Sequence, residues 1–472
     1  GISAGTSLSG STNNTVCTVT GANAIQGEAN LTFNGGATGD AQLTVHAAEA
    51  NANSDSELIL ETSNDFATSA IMFKDSTAEA GSVAYNHGDN YIKFSTNGTN
   101  GGTERVRIDA GGNMNVTGVV TATAFHGNFQ PRNMIINGAM QINQRGSGTL
   151  TVNSSSSQYP CDRWVSRGEG GSKAFTIEKT SIASSGQGVR NALKVTSSQA
   201  ASVGSNDIFN VRQMIEGYNI QRLNLGEAGC ASMALSFTAY SSVAGTHSGA
   251  IQNSAQNRSY PFTYTLAQNT WTDVKITIPP ITSGSFNETN GVGLRVVFDL
   301  GCGNGFRGTA NQWNSAQDEG ATGAVRILET NGATWYVTKV QLEEGTVATK
   351  FEKKLFSDEL VQCQRYFQKR VDTDGVYFGM GYMYDHYRGY CPVTHYVTMR
   401  TAPSMQTVTG SNYYSLHRNG TGDDFNGFTN WFAADENHGT LQTVSGLSGT
   451  GGHAGQYWSN NAACKITFSA EL

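Results

Sequence analysis

The sequence predicts an all-β chain drawn out into an elongated trimeric fibre. It comprises an intertwined β shaft, a jelly-roll-like β-sandwich, one short helix and a C-terminal β-rich tip domain. Three observations predict the all-β class, and the trimeric winding follows from how little area residues 1–130 bury. Charged residues fill 14% of the 472 positions, against about 25% in ordinary domains, while Gly counts 56 and Pro only 7. Short apolar segments of period two recur along most of the chain, separated by Gly, Asn, Asp and Ser, which is the pattern of strands and turns. A helical period occurs once. With 30 Lys and Arg and 37 Asp and Glu, the chain lacks the charge density of coiled coils and helical bundles. Gly has no three-residue period, so a collagen helix is excluded. Hydrophobic residues at 38% and aromatics at 10% exclude a disordered chain.

Residues 1–130 form the predicted β-repeat shaft. Its apolar triplets are Leu31-Thr-Phe33, Leu43-Thr-Val45, Leu58-Ile-Leu60, Ile71-Met-Phe73, Val83-Ala-Tyr85, Ile92-Lys-Phe94, Val106-Arg-Ile108 and Met114-Asn-Val116. Each buries one or two large side chains per face. At about 25 cal/mol per Å2 of apolar area this does not offset about 1–2 kcal/mol of backbone entropy per ordered residue. Three copies wound together bury the same stripes against one another. An ordinary small sandwich is the alternative for these segments.

Residues 131–352 form the predicted sandwich. Phe175 and Ile177, Leu193 and Val195, Leu235 and Phe237, then Val274, Ile276 and Ile278 alternate with polar residues. Leu294, Val296, Phe298 and Leu300 alternate as well, with Arg295 and Asp299 on the opposite face, and Trp335 to Leu342 closes the run. Strands at this spacing read as two antiparallel sheets.

Residues 353–370 form the predicted amphipathic helix. Ser357 is the expected cap, Asp358 and Glu359 suit the positive end of the helix dipole, and Phe356 is placed to staple onto Val361. Phe356, Leu360, Cys363 and Phe367 make the apolar stripe, and Lys369 and Arg370 follow at the end. Residues 371–472 form the tip, closing on a strand in which Cys464, Ile466, Phe468, Ala470 and Leu472 alternate.

The net charge is −7 without a run of Lys and Arg, which argues against nucleic acid as a partner. No stretch approaches the ~18 apolar residues of a membrane span. Residues 1–10 lack the basic and apolar regions of a signal peptide and carry no initiator Met, so the chain reads as a processed or truncated form. The seven cysteines, at 17, 161, 230, 302, 363, 391 and 464, are widely spaced and read as buried small apolar residues of a chain made in a reducing cytosol. One long-range disulfide is the alternative.

No catalytic residue, metal site or cofactor is predicted. Glycan hydrolysis needs two carboxylates about 5–9.5 Å apart. The acidic pairs Glu343-Glu344, Asp358-Glu359, Asp423-Asp424 and Asp435-Glu436 are sequence neighbours, which on a strand point to opposite faces. His386, His395, His417, His438 and His453 show no HExxH spacing, and no phosphate-binding loop or nucleophile elbow occurs. The stronger signal is aromatic. Tyr382, Tyr384, Asp385, His386, Tyr387, Arg388 and Tyr390 interleave rings with polar groups. Flat rings complement the C–H faces of sugars, and hydroxyls supply polar contacts. Asp423, Asp424 and Trp431, in a glycine-rich stretch, complete the candidate glycan-binding set. The competing reading places the rings in a trimer core, since Tyr and Phe are good strand formers.

A run of strings then carries a family resemblance. Thr103-Glu-Arg-Val-Arg-Ile-Asp-Ala-Gly-Gly-Asn113, preceded by Gly81-Ser-Val-Ala-Tyr-Asn-His87 and Ile92-Lys-Phe-Ser-Thr-Asn-Gly98, resembles the shaft elements of bacteriophage tail fibres. Arg132-Asn-Met-Ile-Ile-Asn-Gly-Ala-Met-Gln-Ile-Asn-Gln-Arg145 and Asp162-Arg-Trp164 resemble the start of a β-sandwich module of phage fibre proteins. Gln213-Met-Ile-Glu-Gly217, Val340-Gln-Leu-Glu-Glu-Gly345, Ala348-Thr-Lys-Phe-Glu352 and Cys363-Gln-Arg-Tyr-Phe367 continue that pattern. The likeness covers roughly residues 70 to 370. It implies a receptor-binding virion fibre, made in the bacterial host's cytoplasm and carried on the virion. The implied partners are two further copies in a homotrimer, other phage tail or virion proteins at the N-terminal end, and a host surface glycan. The alternative is a purely structural head fibre or adaptor with a trimerisation cap, and after it a polysaccharide-degrading tailspike. The long self-cleaving chaperone domain of some related fibres has no counterpart in this sequence.

Overall fold

In a computed structural model the chain divides into two compact units, Gly1–Gly127 and Asn128–Leu472. The structure describes the backbone of residues 15–21, 24–35 and 41–45, residues 58–120 except 63, 75–78, 98–101 and 119, and residues 132–472 except 172, 200–201 and 444–445.

In the first unit β1 (Thr15–Gly21), β2 (Ala24–Gly35) and β3 (Ala41–Val45) form one antiparallel sheet. β4 (Thr68–Lys74), β5 (Glu79–Asn86), β6 (Tyr91–Thr96), β7 (Thr103–Ile108) and β8 (Met114–Val116) form a five-stranded meander in chain order. Every expected triplet lies in a strand except Leu58–Leu60, which joins no ladder among the described residues and stands exposed. An apolar triplet without a neighbouring strand has nothing to pair with or pack on. The register puts Ile71, Val83, Phe94, Val106 and Val116 in one row across the meander, with Tyr85, Ile92, Ile108 and Met114 beside it on the same face. That face is not a core: Ile71 is 45% exposed and Met114 64%.

The second unit opens with β9 (Leu150–Val152), β10 (Ser156–Cys161), β11 (Trp164–Glu169), β12 (Phe175–Ser181), β13 (Asn191–Ser197) and β14 (Ile208–Glu216). It continues through β15 (Met233–Ser241), β16 (Gly245–Asn253), β17 (Ser259–Leu266), β18 (Thr272–Ile278), β19 (Val292–Asp299), the short β20 (Arg307–Gly308) and β21 (Gly320–Ala321), and β22 (Thr334–Glu344). Two six-stranded sheets result, β10-β11-β14-β19-β16-β17 and β18-β15-β22-β13-β12-β9. This is the expected antiparallel sandwich, and the period-two sets face inward: Phe175, Ile177, Leu193, Val195, Leu235, Phe237, Leu294, Val296, Phe298, Trp335 and Leu342 share one core. Phe298 lies at its centre, 5.0 Å from Phe237 and 5.5 Å from Trp335 between ring centroids. Arg295 and Asp299 lie on the outer face of the first sheet, opposite Val296 and Phe298, as expected. Asp299 is buried there in an ion pair with Arg307, 2.6 Å long.

The helix α1 spans Phe356–Gln364, and its cap is Leu355 without a side-chain bond. Ser357 lies inside the first turn and bonds Asp358 instead, while Phe356 and Val361 are both exposed, so neither the cap nor the staple forms as expected. Leu360 and Cys363 pack with Tyr366, Ile136 and Ile142. Phe367 belongs to a strand, β23 (Phe367–Val371). Its place in the helical stripe is a coincidence of spacing, because this segment pairs with the closing strand of the chain. The sequence also assigned Glu359 to the dipole alone. It is buried and accepts the Asn137 N–H at 2.5 Å.

Burial pushes the Glu359 carboxyl up, with the Asn137 N–H and Lys354 opposing. Folding therefore favours the protonated form, and the associated stability is present at low pH and lost as pH rises through the folded value. Glu359→Gln keeps the acceptor without the charge. We expect it to raise the melting temperature at pH 7, with the gap closing by pH 4. A gap of equal size at both pH values contradicts this.

The remaining strands are β24 (Tyr377–Met383), β25 (Gly389–Thr394), β26 (Ser404–Thr407), β27 (Tyr414–Arg418), β28 (Thr421–Phe425), β29 (Asn430–Phe432), β30 (His438–Gln442), β31 (Ala454–Ser459) and β32 (Ile466–Ser469). They build a small sheet, β23-β32-β26, and a seven-stranded sheet, β28-β27-β31-β24-β25-β30-β29. Phe378, Tyr414, Leu416, Phe425, Phe428, Leu441, Tyr457, Ile466 and Phe468 lie in the core between them. The closing alternation behaves as expected, and β32 is the central strand of its sheet. Beyond it Glu471 is clamped by Arg145 and Arg163, and Arg163 stacks 3.5 Å over Tyr366. The six described cysteines are free and buried. Among the described residues no helix is long and apolar enough to cross a membrane.

Candidate functional site

A register shift between Tyr377 and Gly379 interrupts the alternation of β24, and beyond it β24 and β25 divide their side chains between two faces. Phe378, Met383, Cys391 and Val393 point into the core. Tyr382 pairs directly across the ladder with Tyr390, and Tyr390 with Gln442 of β30, which in turn faces Asn430 of β29. These side chains therefore share the outer face of the seven-stranded sheet. Tyr390 is the hub. Its ring stacks on Tyr384 at 4.8 Å and 17°, and meets Tyr382 at 5.7 Å and Phe432 at 5.2 Å edge-on. Tyr384 is 54% exposed and Tyr382 41%. The Asn430 amide donates to Gln442 Oε1 at 3.3 Å, leaving polar groups at the margin of the rings.

The loop between β24 and β25 is locked by its own charges. Asp385 accepts the backbone N–H groups of Tyr387 and Arg388 at 3.0 and 2.8 Å and pairs with the Arg388 guanidinium at 2.5 Å. Partial desolvation works against ionisation, but these N–H groups and the guanidinium outweigh it and hold the carboxyl below its usual range. Arg388 lies over Tyr384 at 4.8 Å and over Tyr387 at 5.5 Å. His386 is exposed and meets Tyr387 edge-on at 4.5 Å. Asp385 and Arg388 thus position the rings and satisfy each other.

The structure separates the other three candidates. Trp431 sits on the opposite face of β29 from Phe432. Its indole donates to the Pro403 carbonyl at 3.1 Å and its ring lies 4.7 Å from Phe468. Gly439 makes room for it, since a Cβ there would come within 2.3 Å of the indole. Asp423 pairs with Arg418 at 2.5 Å and shares a face with Leu416, whereas Asp424 faces outward beside Ser415 and accepts from Asn460 at 2.9 Å. The two neighbours share no site. Asp424 is on the same outer face as the rings, but on β28, separated from β24 by β27 and β31. Phe432 is the residue the sequence reading missed. Period two allows only one of Trp431 and Phe432 to face outward, and nothing local says which.

The site is a shallow face. Clefts of about 420, 280 and 490 Å3 lie elsewhere in this unit, at linings that include Arg222 and Arg365, Arg190 and Glu352, and Asp273 and Lys339. None is lined by a residue of the aromatic face. Among the described residues no group of three His, Cys, Asp or Glu side chains is placed to hold a metal ion.

No family model matches the chain, and no curated protein matches it. Solved structures resemble it at low similarity. An arabinose-bound α-L-arabinofuranosidase, MgGH51, aligns at 9% identity over 50% of this chain and 30% of its own, with a TM-score of 0.26. The enzymatically active domain of bacteriophage CBA120 tailspike protein 4 aligns at 9% identity over 45% of this chain and 21% of its own, with a TM-score of 0.24. A putative sugar-binding protein from Bacteroides thetaiotaomicron aligns at 15% identity over 45% of this chain and 100% of its own, with a TM-score of 0.26. The chain spans less than a third of the first two. Similarity at this level assigns neither family nor function, and the functional reading rests on the site.

Proposed function

We propose that the chain is a non-catalytic virion fibre protein that binds bacterial surface polysaccharide through the outer face of β24, β25, β29 and β30, acting as a homotrimer. One observation carries the binding reading: Tyr382, Tyr384 and Phe432 stand exposed around the half-buried ring of Tyr390 on one sheet face, edged by amide and hydroxyl groups. Sugar rings offer apolar C–H faces that stack on aromatic rings, while their hydroxyls take up the marginal hydrogen bonds. An open face suits a polymer, which a closed pocket would exclude. The reading as a phage fibre adsorbing to its host draws on the resemblance of the shaft and sandwich strings.

Support for a trimer comes from the first unit. The face bearing Ile71, Val83, Phe94, Val106 and Val116 is an apolar surface that soluble proteins cover, and two further copies supply the cover. Three weak sites on one fibre then gain avidity from simultaneous engagement.

Purified trimer applied to an array of bacterial surface polysaccharides should be retained on some of them, and size-exclusion chromatography should find the polymers unshortened. Retention on none of them refutes the binding reading and favours a structural fibre. Shortened polymer refutes the non-catalytic reading.

A further inference from the structure

The outer face of the sandwich sheet β10-β11-β14-β19-β16-β17 carries a second feature, on a different sheet from the aromatic face. Its register puts Arg167 beside Asn210 and Asp299, Arg212 beside Val165 and Val297, and Arg295 beside Met214 and Gln252. The three arginines therefore lie on adjacent strands of one face, around a floor of Val165, Val297 and Ala250, which are buried. Glu319 closes one side. It is fully buried, accepts from Asn210 at 2.9 Å and Gln317 at 3.2 Å, and lies 3.8 Å from Arg167.

The charges do not balance. Asp299 is taken by Arg307. Glu169 pairs with Arg167, which Glu319 also approaches. Arg295 donates to the carbonyls of Asn253 and Ser254 at 2.7 and 2.8 Å. Arg212 is half-buried, and among the described residues no carboxylate, carbonyl or hydroxyl accepts from it. Three guanidinium groups thus face two carboxylates, and the middle one has no partner. Burial and the Arg167 charge pull the Arg212 guanidinium down, with Glu319 opposing, and Arg295 is lowered to about 10 by burial and by Arg212. A part-buried cation beside like charges is costly unless something outside the chain pairs with it.

We propose that Arg167, Arg212 and Arg295 form an oxyanion subsite that takes an acidic unit of a glycan polymer, carried as a carboxylate or as a phosphate diester. The planar guanidinium of Arg212 matches either group with two parallel hydrogen bonds, and the flanking arginines add to the attraction. Because the subsite lies on its own sheet, its failure leaves the aromatic face as argued.

The test uses the full chain with three probes: a galacturonate trisaccharide, a glycerol-phosphate trimer and neutral maltotriose. At least one acidic probe should bind by calorimetry, more weakly as salt rises, and Arg212→Gln should weaken it at least about tenfold. Which acidic probe binds tells carboxylate from phosphate. Arg212→Met removes an unpaired charge and should melt at or above the wild-type temperature. Three results overturn the proposal: no binding of either acidic probe, binding that Arg212→Gln leaves unchanged or that maltotriose equals, and a lowered melting temperature in Arg212→Met, which would make the residue structural.

Discussion

Glu471→Ala is expected to destabilise the second unit by about 3–5 kcal/mol, the cost of leaving a buried ion without its partner. Glu471 is clamped on one side by Arg145 at 2.8 Å and on the other by Arg163. Arg163 is almost wholly buried. Its second nitrogen donates to the Met214 carbonyl at 2.5 Å and its plane lies on Tyr366. Burial opposes its charge, but Glu471, joined by Tyr366, Tyr159 and Cys363, more than offsets that burial and raises its pKa. Removing Glu471 strands this cation among Tyr366, Cys363 and Tyr159. The same contact ties the chain's last turn to the sandwich, helped by Arg400, which donates to the carbonyls of Ala470 and Glu471 at 2.7 and 3.0 Å. Thermal unfolding followed by near-ultraviolet circular dichroism measures the effect. The double change Arg163→Met with Glu471→Leu should recover most of the loss, because an apolar pair needs no compensation. A Glu471→Ala protein that melts within about 1 °C of wild type, which in a unit of this size corresponds to under about 1 kcal/mol, contradicts this account of the clamp.

The second large effect is on binding. Tyr382→Ala with Tyr384→Ala should weaken polysaccharide binding by about 2 kcal/mol per site, roughly 30-fold, and by more in a trimer on a surface, where the losses multiply. Stability should hardly move, since exposed side chains away from caps and cores typically change it by under about 0.5 kcal/mol. Trp431→Ala should do the reverse. It removes a ring packed on Phe468 and seated over Gly439, so it lowers the melting temperature and leaves binding intact in the folded fraction. Surface plasmon resonance on immobilised polysaccharide, paired with calorimetric melting, separates the two. Equal binding of wild type and the double Tyr variant contradicts the site.

Much of the fold was legible because it depends on period two. Phe175 with Ile177, or Leu294 with Val296 and Phe298, announce a strand and its buried face at once, and a sheet needs little else. The same period limited the site. It places Tyr382, Tyr384 and Tyr390 together once the hairpin is granted, but it cannot choose between Trp431 and Phe432. That choice is made by Gly439 on the neighbouring strand and Phe468 on another sheet. Features that depend on distant partners were illegible for the same reason. Glu471 meets Arg163 across 308 positions, and Glu359 meets Asn137 across 222. The short helix misled in a different way. Phe367 fits its stripe by spacing alone, and only the closing strand shows that it belongs to a ladder. The charge cluster at Arg212 was half visible, since Arg295 and Asp299 stand out on the polar side of β19, but the crossing of β11 and β14 beside it was not.

Hydroxyl-radical footprinting of the assembled protein, with and without host polysaccharide, tests the central claim most directly. We expect Tyr382, Tyr384 and Phe432 to oxidise readily in the free assembly and to become protected at saturating polysaccharide, while Tyr457 and Tyr414 in the core stay unreactive throughout. Rings already shielded in the free assembly, or unchanged by the polymer, would contradict it.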